Sequence, residues 1–340
     1  MKHGILPRQN IEQLVAKGHI LGLQDDADHP PSLQPASLDL CLGDTALRLR
    51  ASFLPGGGVS VESAVENIVM HRVDLKGGAV LETGCVYLIP LRESLNLPTD
   101  IVGLANPKSS TGRLDVFTRV ICDGGEQFDT IPAGYKGPLY MEVAPRTFPI
   151  LVRPGDRLGQ MRFRHGPHNN LRTQHVSIDL KGDGTGSPIG YRAKRHSGLV
   201  DIRGLKAHQA SEFWEPLTAP NGTLVLDPEE FYILASREAV EIPVGEAAEM
   251  APIAPEIGEF RAHYAGFFDP GFGVSEAGGE GSRAVLEVRG RDVPFLLRHG
   301  QAVAKLVFEP MAERPDQLYG AQGSHYQSQG LRLSKHFTSD

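Results

Sequence analysis

Apolar residues along this chain come in short bursts bounded by Gly, Pro and polar residues, and one stretch carries the spacing of a helix. There Ile11, Leu14 and Val15 fall at i, i+3 and i+4, with Asn10 before them as a capping residue and Gly18 behind. The pattern predicts one short N-terminal helix. Elsewhere the bursts, such as 86–90 (VYLIP), 137–143 (GPLYMEV) and 149–152 (PILV), are too short for helices. They are rich in β-branched and aromatic side chains, which suit strands. With 39 Gly and 25 Pro among them, they predict a mainly β fold of short strands and tight turns.

The strand pattern repeats. YLIPLRESLNLP at 87–98 matches YILASREAVEIP at 232–243, with Tyr, Arg, Glu and Pro shared at a constant offset of 145. At the same offset Arg153-Pro-Gly155 through Phe163 answers Arg298-His-Gly300 through Phe308, and Glu142 in YMEV answers Glu287 in VLEV. Length differences fall in loops: 124–129 is the longer one in the first copy and 274–282 in the second. The expected organisation is a first repeat over 1–170, a connecting segment over 171–200 rich in Gly and Pro, and a second repeat over 201–316. A polar tail over 317–340 follows, read as a solvated extension or a lid.

Composition narrows the class. The 40% hydrophobic and 22% charged content reads as soluble and globular, and 340 residues suffice for two cores. A net charge of −7 gives no general attraction to a nucleic-acid polymer or an anionic membrane, so a phosphate ligand has to be held by a local cluster. Cys41, Cys85 and Cys122 form no C-x-x-C pair, and no run of ~18 apolar residues occurs. A cytoplasmic protein is expected.

The local cluster is 105–113, Ala-Asn-Pro-Lys-Ser-Ser-Thr-Gly-Arg. Pro107 disfavours helix before it. Lys108, Ser109, Ser110 and Arg113 then project from a loop or strand end, where hydroxyls and amides donate to phosphate oxygens and the cations supply charge. A solvated surface turn is the alternative for this stretch taken alone.

In order and spacing, residues 105–113, the Ala133-Gly-Tyr-Lys-Gly turn, the YMEV strand and the RPGDRLGQMRF segment resemble the trimeric dCTP deaminase and dUTPase family. Ile5-Leu6 through Gly18, and 34–43 (QPASLDLCLG), resemble that family's N-terminal helix and following segment. The tail's Tyr326-x-x-Gln329 resembles the segment that closes over its nucleotide. The resemblance implies two tandem distorted β-barrels and hydrolytic deamination of dCTP to dUTP and ammonia. It implies Mg²⁺ bound only through the phosphates, and a homo-oligomer with sites at repeat or subunit interfaces. Lys108, Ser109 and Ser110 would hold the triphosphate, Ser109 would also orient the attacking water, and Arg113 would balance charge beside a glutamate. That glutamate, Glu142 or Glu287, would carry the proton. Zinc deamination needs H-x-E or C-x-E with P-C-x-x-C, and neither motif occurs.

The departures from the family are complementary. The first copy keeps the serines and Arg113 but has Pro132 where the family has aspartate, beside Tyr135. The second has Pro252-Ile-Ala-Pro-Glu256 in place of the serines yet keeps Asp269-Pro-Gly-Phe272 and Glu287. A composite site follows as the expectation, with Asp269 and Phe272 against the sugar and Glu287 on the base. Asp269 as turn former and Phe272 as core are the structural alternatives, and Ser37 and Asp39 are read as buttresses. Two other functions stand beside it: a dUTP pyrophosphatase or bifunctional enzyme, using Asp129 or Asp269, and a non-catalytic nucleotide sensor.

Overall fold

The structure, a computed structural model, describes residues 2–23, 32–167, 171–182, 184, 186–253, 260–263, 266–279, 281–320 and 330–338. The chain is mainly β, as its bursts and turns predict. In the first half, one sheet runs in the order Gly4–Ile5, Gly159–His165, Ile101–Pro107, Thr130–Ile131, with Leu38–Leu40 also on Gly159–His165. A second runs Val69–Asp74, Thr45–Leu49, Val86–Asn96, Lys136–Pro145, Val116–Cys122. In the second half, Arg172–Ser177, Ala302–Pro310, Glu246–Pro252 and Phe267–Phe268 form one sheet. Trp214–Leu217, Gly190–Ala193, Phe231–Val240, Ser282–Gly290 and Phe260–His263 form another.

The 145-residue offset survives in the pairing register. Glu142 lies opposite Leu88 and Glu287 opposite Ile233, while Arg162 lies opposite Leu104 and Val307 opposite Glu249. A strand's side chains alternate faces with period two, so a slip of one residue would turn each glutamate to the other face. The shared register keeps both carboxylates in equivalent places.

Three regions differ from their expectation. The helix is Arg8–Ala16 and starts behind Pro7, not Asn10; Asn10 is a buried residue within it. Proline is suited to that boundary because it lacks the N–H that the first turn leaves unpaired. Gly18 ends the helix at φ 71°. The stretch 171–200 is no bare connection: Arg172–Ser177 pairs with Ala302–Pro310, and Gly190–Ala193 with Trp214–Leu217 and Phe231–Val240. Its prolines and glycines punctuate strands rather than replace them.

The tail is not solvated over its last described stretch. Ser334, His336 and Phe337 are buried. Phe337 sits among Phe213, Trp214 and Phe148, with ring centroids 5.2, 5.8 and 6.2 Å away. The same core runs from Leu6 through Phe148 to Trp214, Phe231 and Ile233, so both halves and the tail share one apolar interior. Tyr326 and Gln329 lie outside the described residues.

The packing yields a first prediction. Phe337→Ala should lower unfolding free energy by about 3–5 kcal/mol, the usual cost of emptying a buried aromatic site. Urea unfolding would measure this, and a loss below about 1 kcal/mol would return the tail to the solvated reading.

Candidate active site

The Ile101–Pro107 strand ends at Pro107, and Lys108, still extended, precedes the one-turn helix Ser109–Gly112. Lys108 and Ser109 remain half-buried, whereas Ser110, Thr111 and Arg113 are buried. Lys108 makes an ion pair with the buried Asp39 carboxylate. Asp269 comes to this same place from the second half: its Oδ1 accepts the Ala36 N–H at 3.0 Å. Burial pushes the Asp269 carboxyl up to about 7, with Asp39 adding to the rise and the Ala36 N–H and Lys108 opposing it.

Arg113 crosses between the halves. Its Nε lies 3.9 Å from Glu287 Oε1, and both side chains are almost wholly enclosed. Burial pushes the Glu287 carboxyl up to about 8 against the pull of Arg113. Two residues further along each segment the charges swap: Arg289 is paired with the fully buried Asp115. Thr147 Oγ donates to Asp115 Oδ2 at 2.5 Å, and Arg289 Nη2 donates to Thr147 Oγ at 3.0 Å.

The C-terminal strap closes over the grip from above. Ser334 Oγ donates to the Ser110 carbonyl at 2.9 Å, and Arg113 Nη1 donates to the Arg332 carbonyl at 3.1 Å. His336 contacts Ser334 Oγ through Nδ1 and the Ile202 carbonyl through Nε2, at 2.8 and 2.9 Å. Burial, then the Lys335 charge, pushes the His336 imidazole down to about 4. Lys335 is itself lowered by burial and by nearby Lys108. The strap thus brings a second ammonium beside the first.

Lys108, Ser109, Ser110 and Arg113 from the first half therefore meet Asp269 and Glu287 from the second. Glu142 has a different setting, with hydrogen bonds from Ser52 and from the Phe53 N–H and with Arg119 nearby. Burial raises its carboxyl too. Tyr135 is turned into its own half, where its hydroxyl donates to the Pro138 carbonyl at 2.7 Å and accepts the Asp123 N–H at 3.2 Å. Phe272 packs between Phe268 and Tyr319, with centroids at 5.1 and 5.4 Å, in the second half's core. Neither aromatic shares the grip's hydrogen bonds among the described residues. Asp115, Arg289, Ser334 and Lys335 were not foreseen. Asp115 and Arg289 stand two residues beyond Arg113 and Glu287, and a period-two reading of charge could have found them.

Two family profiles match, one after the other. The profile described as the 2'-deoxycytidine 5'-triphosphate deaminase N-terminal domain covers residues 2–167, and the one described as its C-terminal domain covers 166–337. The chain belongs to the dCTP deaminase family. A crystal structure of 2'-deoxycytidine 5'-triphosphate deaminase from Agrobacterium tumefaciens is 53% identical, with a TM-score of 0.86 over 92% of this chain and 100% of that one. The dCTP deaminase of Haloarcula marismortui is 31% identical over 41% of this chain and 68% of its own length. A Methanoculleus marisnigri protein named dCTP deaminase, dUMP-forming, is 30% identical over 47% of this chain and 79% of its own. Such matches cover one half's worth of this chain, as a double-length member of the family requires.

The raised Glu287 carboxyl has a sign that can be tested. Unfolded, it titrates near 4.5; folded, at about 8. Between those values the folded chain holds a proton that the unfolded chain releases, so stability is fully present below the lower value and falls as pH rises through the upper one. Asp269, at about 7, acts in the same direction. Glu287→Gln should make the fall in unfolding free energy between pH 5 and 8 shallower, as read by urea unfolding at each pH. An unchanged slope would mean that this carboxyl does not titrate there.

Proposed function

We propose that this chain hydrolyses dCTP to dUTP and ammonia at a composite site, with the phosphate grip from the first half and the proton carrier, Glu287, from the second. The observation that carries the reading is the Arg113–Glu287 pair, which joins the family's serine-arginine segment to the second copy's glutamate rather than to Glu142. Six sheets that repeat at one offset suit two distorted barrels, one per copy, covering roughly 1–170 and 201–316.

Lys108, Ser109 and Ser110 would hold the triphosphate, with Mg²⁺ entering as the phosphates' counter-ion. The hydroxyl and ammonium donors of the grip suit phosphate oxygens rather than the metal itself. Asp269 is placed for the sugar. Ser109, half-buried at the start of its turn, is placed to orient a water.

Glu287 works through its protonation near neutrality, where a carboxyl exchanges protons in both directions. It takes a proton from water as the oxygen adds to C4 and delivers one to N3, giving a tetrahedral carbon that bears hydroxyl and amine. It then moves the hydroxyl proton to the amine. Ammonia leaves, the C4 carbonyl forms, and N3 keeps its hydrogen. Arg113 offsets the carboxylate whenever the proton is away. None of these steps calls for zinc.

A second reading, hydrolysis onward to dUMP and pyrophosphate, draws on Asp269, the buried carboxyl nearest the grip in the electrostatics of Lys108. Incubation with dCTP and Mg²⁺, followed by chromatography and assays for ammonia and pyrophosphate, distinguishes the products. Ammonia with dUTP is expected; no product at all would favour the sensor.

Glu287→Gln should keep nucleotide binding and reduce turnover by about 10²–10⁴-fold, the usual range for a lost acid–base group. Glu142→Gln should be mild. The reverse ranking, read from single-turnover kinetics, would move the site into the first half alone.

A further inference from the structure

The two copies differ at one sheet edge. In the first half Ile150–Val152 pairs on one side with Ala79–Leu81 and on the other with Val200–Asp201, which runs parallel to it. The Val200 N–H donates to the Pro149 carbonyl at 3.0 Å, and Asp201 takes both arms of the Arg153 guanidinium at 2.8 and 2.9 Å. The equivalent strand of the second half, Phe295–Arg298, pairs with Thr223–Leu226, the equivalent of Ala79–Leu81. Among the described residues nothing pairs with its other edge.

The consequence is visible in exposure. Pro149, Leu151 and Arg153 are half-buried, whereas Pro294, Leu296 and Arg298, each 145 residues later, are exposed. Leu296 is 43% exposed, its cross-strand partner Val225 48% and Val293 51%, so an apolar patch surrounds an open row of backbone donors and acceptors. Open edges of this kind recruit another strand. Arg298, unlike Arg153, has no carboxylate partner among the described residues.

We propose that this edge is where two copies of the chain associate, by antiparallel pairing of residues 292–298 about a two-fold axis through Phe295. The segment is self-complementary, as an isologous contact demands. Asp292 and Arg298 lie three residues either side of Phe295, and both are exposed. The axis sets each Arg298 opposite the other copy's Asp292, restoring the Arg–Asp pairing that Arg153 and Asp201 make inside the first half. It also sets Leu296 beside the other copy's Pro294. Proline costs one donor per strand, yet its carbonyl still accepts, as that of Pro149 does. Apolar burial drives the contact, and the charge pairs select the register.

Sedimentation velocity of the full chain over about a hundredfold range of concentration tests this. Wild type should self-associate, and Leu296→Lys, Arg298→Asp and Asp292→Arg should each weaken association at least about tenfold. Mixing Arg298→Asp with Asp292→Arg should restore a mixed dimer, because both charge pairs re-form between unlike chains. Unchanged melting and dCTP turnover would show that each variant folds, and the Asp292→Arg/Arg298→Asp double variant should dimerise with itself. A monomeric wild type, single variants that associate like wild type, or a mixture that fails to recover would each overturn the proposal.

Discussion

The crossed pair of charges between the halves is the contact on which the rest of the site depends. Arg113 and Asp115 face Glu287 and Arg289, with the signs alternating at a two-residue step. Like-signed groups would meet if either segment slipped by one pair, so the two pairs fix register as well as proximity. Asp115 is fully enclosed and Arg289 nearly so, and removing one partner of such a buried pair commonly costs about 3–5 kcal/mol because the other charge is left uncompensated. The shared core behind them, from Phe148 to Trp214 and Phe337, supplies the apolar burial that holds the pairs out of water. Catalytic and structural charge thus come from one ladder.

Duplication explains why each copy could lose part of a site. With both units on one chain, the second is always present at high effective concentration, so the grip is needed once and the proton carrier once. Glu142 persists in the first copy, but hydrogen bonds from Ser52 and the Phe53 N–H and the neighbouring Arg119 surround it. The serines of the second copy have given way to the segment beginning at Pro252. A residue at an equivalent strand position has kept its identity and changed its surroundings.

Much of this was legible in the residues. Short apolar bursts gave the strands, the offset of 145 gave the register of both glutamates, and the complementary losses pointed to Glu287 meeting Arg113. What escaped notice depends on contacts distant in sequence. A polar tail reads as solvated, because nothing local says that Phe337 will find Phe213 and Trp214. Tyr135 and Phe272 look like nucleotide contacts on their hairpins, but each is drawn into the core of its own half by burial that no spacing reveals. Asn10 reads as a cap because its type is right, whereas Pro7 sits where the helix begins.

The electrostatics of the grip also account for the tail's position. Lys108 is held by Asp39, and Lys335 arrives beside it on a strap anchored by Ser334 and His336. Burial and the neighbouring ammonium both work against the charge on Lys335. Two cations so close are costly without an anion between them. A bound triphosphate supplies that anion: it favours the charged form of Lys335, strengthens the hold on Lys108 and rewards the strap for lying where it does. The strap is therefore packed by its aromatic end and tuned by its lysine, so that the apolar core positions it and the nucleotide completes its charge balance.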